Sequence, residues 1–383
     1  MIYSWLTYPV EKRIAAAKQI KAAGLDAIEL SGGLLTSPKL SPSRPNINTT
    51  ETVLLQSVRY EPGYERYFLG FNQTHSKERC VDQPTEQVFK HLRALADQAF
   101  RLIHDIDARR KLIEQYFCVH PSTADIHGHW FPSKAGPVPM EWIAAADVNP
   151  DRRILYMHGG SWISGSSAGY RAFLSRVSQA SNAVVLSVDY RLAPEHKFPA
   201  GLDDCLQAYQ WMRQNGPEGD ASVASAYLMG DSAGGNLALA SLLKIKDDNL
   251  PLPEAVIAIS PATDFTGKSP SLVSRASVDP IVNPRLLLAL IPIYLGWNTN
   301  PTHPYASPLF GDYSQMPPML LQVGDAEVLL NDSTRLAKHA SEQGCEVTLD
   351  VWEGMPHVFQ GFAPFLPQAS KAITTIGEFV REH

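Results

Sequence analysis

Gly230-Asp231-Ser232-Ala233-Gly234-Gly235 joins the apolar run Ala226-Tyr227-Leu228-Met229 to the helix-forming run Asn236-Leu237-Ala238-Leu239-Ala240. Strand, sharp glycine turn holding one serine, then helix is the order that places a serine hydroxyl at the carboxyl edge of a sheet. The glycines two residues away on either side fit such a turn, because a side chain there would meet the strand or the helix. The serine also lies at the positive end of the following helix dipole. The plainer alternative is a strand-to-helix turn whose serine merely caps the helix. The rest of the chain favours a nucleophilic serine.

Upstream, Met157-His158-Gly159-Gly160-Ser161-Trp162 follows the apolar run Arg153-Ile154-Leu155-Tyr156. Attack on an acyl carbon puts negative charge on the carbonyl oxygen, so such a site needs backbone N–H donors fixed around it beforehand. Gly159 and Gly160 can offer unhindered amides, and the amide of Ala233, just after the serine, is the expected third donor. His158, Ser161, Trp162 and Asp231 are expected around the substrate pocket.

With these two motifs, Asp189-Tyr190-Arg191-Leu192-Ala193-Pro194-Glu195-His196, Phe198-Pro199-Ala200, Ser260-Pro261 with Asp264, and Gly354-Met355-Pro356-His357 run in order over residues 110–383. In these motifs the chain resembles the hormone-sensitive-lipase-like, bacterial family IV type of α/β-hydrolase esterases. The resemblance implies an α/β-hydrolase fold, a mostly parallel sheet with helices on both faces and a helical cap. It implies a serine–histidine–acid triad and needs no cofactor or metal. Ser161 departs from the family, many members of which have a third glycine there. Trp162 directly after it is expected to narrow the acyl side of the pocket.

In this fold the serine comes first, then the acid, then the histidine. His357 follows the strand-like run Glu346–Trp352 and fits the base, taking the proton from Ser232 and returning it to the leaving alcohol. The acid has two candidates after the strand Met319–Val323. The family pattern Asp-x-Leu-x-Asp-Glu, laid on without gaps, puts Glu327 at the acid position, with Leu329, Asn331 and Asp332 matching behind it. Asp325 has the more usual side chain and sits closer to the strand end. Glu327 is slightly favoured, and the other carboxylate is expected to cap the next helix. The turn Asp189–Glu195 reads as ion-paired scaffolding behind the catalytic loop, with Asp231 a buried carboxylate bonded to it.

Composition fits a globular enzyme: 383 residues, 44% hydrophobic and 19% charged. A net charge of −6 without a long basic run points away from nucleic acid. Cys80, Cys118, Cys205 and Cys345 lack disulfide or metal spacing and suggest free thiols in a reducing, cytoplasmic compartment. His127 and His129 share one strand face but have no evident third ligand. The apolar stretch Leu286–Leu295 is broken by Pro292 and is about half the ~20 residues a bilayer span takes. Residues 266–297 instead fit the family's cap, with Leu286, Leu290 and Ile293 on one helix face.

Alternating patterns predict strands near 115–120, 126–131, 141–146, 153–157, 183–189, 226–231, 255–260, 318–323 and 346–352. Helices are predicted near 86–113, 169–180, 201–215, 234–246, 331–343 and 367–381. The catalytic domain is placed at 81–383. Residues 1–80 lie outside the hydrolase pattern. Their run Ala22–Gly33, with Arg44-Pro45 and Asn48-Thr49, is similar to one helix–strand–loop unit of the old-yellow-enzyme barrels. One unit cannot close a barrel, so no flavin is expected, and the segment is either a fused remnant or a flap over the pocket.

The favoured activity is hydrolysis of small carboxylic esters through an acyl-serine intermediate. An amidase or deacetylase would use the same residues. A non-catalytic small-molecule receptor on this scaffold is the alternative from another class; relatives of that kind typically lack a triad member. Relatives are often homodimers.

Overall fold

The computed structural model describes residues 82–102 and 104–383. The readings made for residues 1–80, including the barrel-like unit and Cys80, lie outside the described residues. Asp82 opens helix α1 (Gln83–Arg101) by accepting from the Thr85 amide at 2.9 Å, with Pro84 in the first turn. Where the sequence predicts one helix over 86–113, α1 ends at Arg101 and a second helix, α2 (Ile106–Ile113), begins. The cause is local: the Asp105 carboxylate accepts from the Ala108 amide and starts a new helix.

The predicted strand at 115–120 is not one. It is a run of turns leading into a 3-10 turn at Pro121–Ala124. Its aromatic residues suggested a strand, but tertiary packing decides. Phe117 is buried, with its ring edge-on to Tyr116, Tyr170 and Phe362.

Eight strands form the main sheet: β1 (His129–Ala135), β2 (Val138–Ala144), β3 (Asn149–Met157), β4 (Ala183–Val188), β7 (Ser225–Asp231), β8 (Ala255–Ile259), β9 (Met319–Gly324) and β10 (Val347–Trp352). Their order is β1-β2-β4-β3-β7-β8-β9-β10. β1, β2 and β4 pair antiparallel, and every pairing from β4 to β10 is parallel. β5 (Asn215–Gly216) and β6 (Gly219–Asp220) form a separate small hairpin that the sequence pattern does not reveal. The buried Arg153 explains its own place in a core strand: it donates to the carbonyls of Met212, Asn215 and Ala221 around that hairpin.

The parallel strands are apolar on both faces because helices cover both. Ile154, Tyr156, Tyr227, Met229 and Ile257 face α3 (Ser167–Ser181) and α9 (Pro367–Glu382). Leu155, Leu228, Val256, Ala258 and Leu321 face α4 (Ala200–Met212), α5 (Ala233–Asp247) and α8 (Leu330–Glu342). Between β8 and β9 lie the short α6 (Ser271–Ser274) and α7 (Pro284–Leu295). Leu290, Tyr294 and Leu295 of α7 join the core cluster on the α5 side, and Ile293 is partly buried against it. The parallel register ends β3 and β7 together, with Met157 opposite Gly230 and Trp352 of β10 opposite Gly324 of β9. Loops 158–165, 232, 260–264, 325–329 and 353–358 therefore all leave the same carboxyl edge.

Candidate active site

Ser232 sits between β7 and α5 at φ 53°, ψ −114°, a conformation that side-chain-bearing residues rarely adopt. Strain of this kind is held only where the surroundings over-determine it. A Cβ on Gly230 would lie 2.3 Å from the Gly234 carbonyl oxygen, and one on Gly234 would lie 1.9 Å from that of Met157. The turn is therefore closed by backbone against backbone. The Ser232 amide donates to the Ile259 carbonyl at 2.8 Å, and its side chain makes no capping bond to α5. The hydroxyl is not spent on the helix, and the residue stays partly exposed at the sheet edge.

His357 is buried in the loop after β10, its Nδ1 2.7 Å from Oε2 of the fully buried Glu327. A carboxylate can only accept, so Nδ1 carries the proton and Nε2 is left as the basic nitrogen. Glu327 Oε1 accepts from Ser260 Oγ at 2.8 Å and from the Gly324 amide at 2.5 Å. Tyr116 donates to the His357 carbonyl at 2.6 Å. Burial pulls the imidazole down, but the bond and charge of Glu327, with the charges of Asp279 and Asp231, outweigh it. His357 is held above the ordinary histidine value. No hydrogen bond joins Ser232 Oγ to His357 among the described residues, a contact that in such sites commonly tightens only in the substrate complex.

Asp325 does not touch the histidine. Its carboxylate accepts from the Gly354 amide at 2.7 Å, tying the β9 loop to the turn that carries His357. The expectation that the second carboxylate would cap the next helix is thus corrected: α8 follows Leu329 with no side-chain cap.

The glycine loop needs three further corrections. The Gly159 amide already donates to Asp231 Oδ1 at 2.7 Å, so it is not free for an oxyanion. The amides of Gly160, Ser161 and Ala233 have no acceptor among the described residues. His158 lies behind the loop, not in a pocket: it is buried, stacks on Tyr190 at 4.4 Å, and its Nδ1 is 2.7 Å from the Gly159 carbonyl. Burial holds its imidazole below the ordinary value. Asp231 is likewise buried behind the loop and bonds to Tyr156 and Tyr170 hydroxyls as well as Gly159, not to the 189–195 turn. Burial raises its pKa to about 6 against those bonds.

Ser161 and Trp162 both have positive φ, so the loop keeps its bend without a third glycine. Trp162 is buried, stacked on Tyr294 of α7 at 4.8 Å with Phe265 edge-on at 5.0 Å. The 189–195 turn is the ion-paired support expected of it. Tyr190 donates to the His158 carbonyl, Arg191 pairs with Asp204, and Arg110 of α2 bridges Glu195 to the carbonyls of Ile163 and Ala193.

Ser260, Tyr116, Tyr156, Tyr170 and Asp279 brace the site, yet the sequence assigns them no role. Ser260 alone had a signal, as part of a family motif. Among the described residues no group of three or more His, Cys, Asp or Glu is arranged to hold a metal, and no helix is long and apolar enough to cross a membrane. His127 lies against Gln179.

The family model for the alpha/beta hydrolase fold matches residues 154–361. An acetyl-hydrolase of Streptomyces hygroscopicus is 37% identical over 247 residues, 64% of this chain and 80% of the relative. An esterase of Acinetobacter venetianus is 35% identical over 234 residues, 61% and 76% of the two chains. The crystal structure of an esterase from the bacterial hormone-sensitive lipase family superposes with a TM-score of 0.71 at 36% identity, covering 79% of this chain and 98% of that one. With a match across more than half its length and esterases on both sides of the comparison, the chain belongs to the alpha/beta-hydrolase-fold family, alongside esterases of the bacterial hormone-sensitive-lipase type.

Proposed function

We propose that the protein hydrolyses carboxylic esters, with Ser232 as nucleophile, His357 as general base and Glu327 as the acid that orients it. The observation that carries the reading is the buried 2.7 Å contact between His357 Nδ1 and Glu327 Oε2, on the edge where the strained, uncapped Ser232 emerges. Ser232 Oγ attacks the ester carbonyl as His357 Nε2 takes its proton. The amides of Gly160, Ser161 and Ala233 receive the oxyanion. Collapse expels the alcohol, which takes the proton from the imidazolium, and leaves an acyl-serine. Water activated by the same nitrogen then releases the acid and restores the serine.

Residues 81–383 carry this activity, and the 266–297 segment serves as its cap. Trp162, filled in by Tyr294 and Phe265 beside the oxyanion loop, leaves room for short acyl groups, about two to eight carbons. A homodimer is part of the same proposal, and light scattering of the purified chain reads it directly. The activity is tested by rates on p-nitrophenyl esters of increasing chain length, with Ser232→Ala as the blank. We expect the rate to peak at short chains and to fall by about 10⁴-fold or more in the variant. Unchanged turnover in Ser232→Ala sinks the proposal; faster cleavage of matched anilides than of esters would move it to an amidase.

A further inference from the structure

The peptide that follows Glu327 is gripped from both sides by the segment between β8 and α7. Ser271 Oγ donates to the Val328 carbonyl at 2.6 Å and accepts from the Asn331 amide at 2.9 Å. Asp279 Oδ2 accepts from the Val328 amide at 2.8 Å, while its Oδ1 accepts from the amides of Ile281 and Val282 at 2.9 and 2.8 Å. Three backbone donors thus converge on one carboxylate. An asparagine has a single side-chain oxygen and would turn its NH₂ toward one set of donors, so charge and shape are both used here.

We propose that Asp279 is a positioning residue for the reaction: its carboxylate holds the Glu327–Val328 peptide in register while its charge, beside that of Glu327, stabilises the His357 imidazolium. The inference rests on the ester-hydrolase reading above. Glu327 alone is fixed only by Ser260 and the Gly324 amide on one oxygen and by His357 on the other. The chain to which it belongs is anchored one residue later, by Asp279. The groups acting on His357 are Glu327 from the β9 loop, Asp231 from the end of β7, and Asp279. The half-buried Tyr116 phenol, bonded to the His357 carbonyl, lies in the field of the same three carboxylates. Burial raises Asp279 to about 6 against the His357 charge and its three amide bonds, so the anion is present at neutral pH and is lost in mild acid.

A role confined to folding would lower stability and activity without moving a titration. A role toward His357 moves the acid limb of kcat/KM, because activity needs the imidazole neutral and each nearby anion favours its cation. The experiment measures kcat and kcat/KM against pH on p-nitrophenyl butyrate for the full chain, Asp279→Asn, Asp279→Glu and Ser271→Ala, with Ser232→Ala as blank. Asp279→Asn is expected to lower kcat about tenfold with little change in KM, through misplacement of the acid. It should also displace the acid limb downward by about half a pH unit. Asp279→Glu keeps the charge and holds the limb near its original pH. Ser271→Ala loosens the same peptide without changing charge and leaves the limb in place. If Asp279→Asn does not fold, Asp279→Ser removes the charge with a smaller side chain and carries the same two expectations. A limb that stays put in the charge-removing variant, or that moves equally in Ser271→Ala, overturns the inference. If Ser232→Ala remains active, the hydrolase reading itself has failed; if it is silent while Asp279→Asn behaves as the parent, only the role of Asp279 has.

Discussion

Glu327 and Asp325 stand two residues apart on one loop, yet one faces the His357 ring and the other the Gly354 amide. Their substitutions should therefore separate cleanly. Glu327→Gln places an amide against Nδ1, which upsets the tautomer and removes the anion that supports the imidazolium; kcat should fall about a thousandfold or more. Asp325→Asn keeps an oxygen for the Gly354 amide and should cost less than about tenfold. Steady-state rates on one short ester check both, and a crippled Asp325→Asn with an active Glu327→Gln would reverse the assignment. The family pattern laid on the sequence favours Glu327 over Asp325, because it brings Leu329, Asn331 and Asp332 into line behind it. The oxyanion donors are less legible. His158-Gly159-Gly160 announces unhindered amides but not where each points, and only the buried Asp231 reveals that the Gly159 amide is already engaged.

The glycine turn that carries Ser232 is a packing problem solved by α5 crossing close to the end of β3. Gly234 has no room for a methyl group: the Met157 and His158 carbonyl oxygens would lie 1.9 and 2.6 Å from its Cβ. Both are backbone atoms, so relief requires moving β3 or the helix. Gly234→Ala should cost about 3 kcal/mol or more and lower Tm by roughly 5–10 °C. Activity should fall with it, since the Ala233 amide and Ser232 ride on that helix start; calorimetry and rates together check this, and a stable, active variant contradicts it. The same closeness explains what was readable. β3, β7, β8 and β9 are apolar on both faces and announce themselves as short continuous runs. The stretch 115–120 has comparable composition, yet its aromatic residues pack against α3 and the chain around Phe362, a pairing no local pattern encodes. The break between α1 and α2 rested on one capping aspartate, Asp105, inside an otherwise helical pattern.

Over the whole molecule, the sheet edge gathers ionisable groups into a poorly hydrated interior, and that sets how stability responds to pH. Burial raises Asp231, Asp279 and Asp332 each to about 6 from an ordinary value near 3.8, against the hydrogen bonds that favour their anions. The folded chain then binds more protons than the unfolded one between about pH 4 and 6, so these groups oppose folding at neutral pH and cease to do so in mild acid. Each should return about 1 kcal/mol between pH 7.5 and pH 5. His357, raised in the folded state, works in the same direction, its contribution fading as pH climbs through its folded value. His158 opposes them: held neutral by burial, it costs stability once pH falls below the ordinary histidine value. The three carboxylates, Asp231, Asp279 and Asp332, set the expected direction, while the carboxylate of Asp312, depressed to about 2, loses its contribution only below about pH 4. Tm should therefore be higher at pH 5 than at pH 7.5 by a few degrees, although ester hydrolysis falls over the same interval as His357 takes up its proton. Calorimetry across that range, with rates measured in the same buffers, tests the pairing: a Tm that declines steadily from pH 7.5 to 5 would mean that the buried carboxylates are kept as comfortable anions by their amide and phenol donors, and that the acid loss of activity reflects unfolding instead of titration of the base.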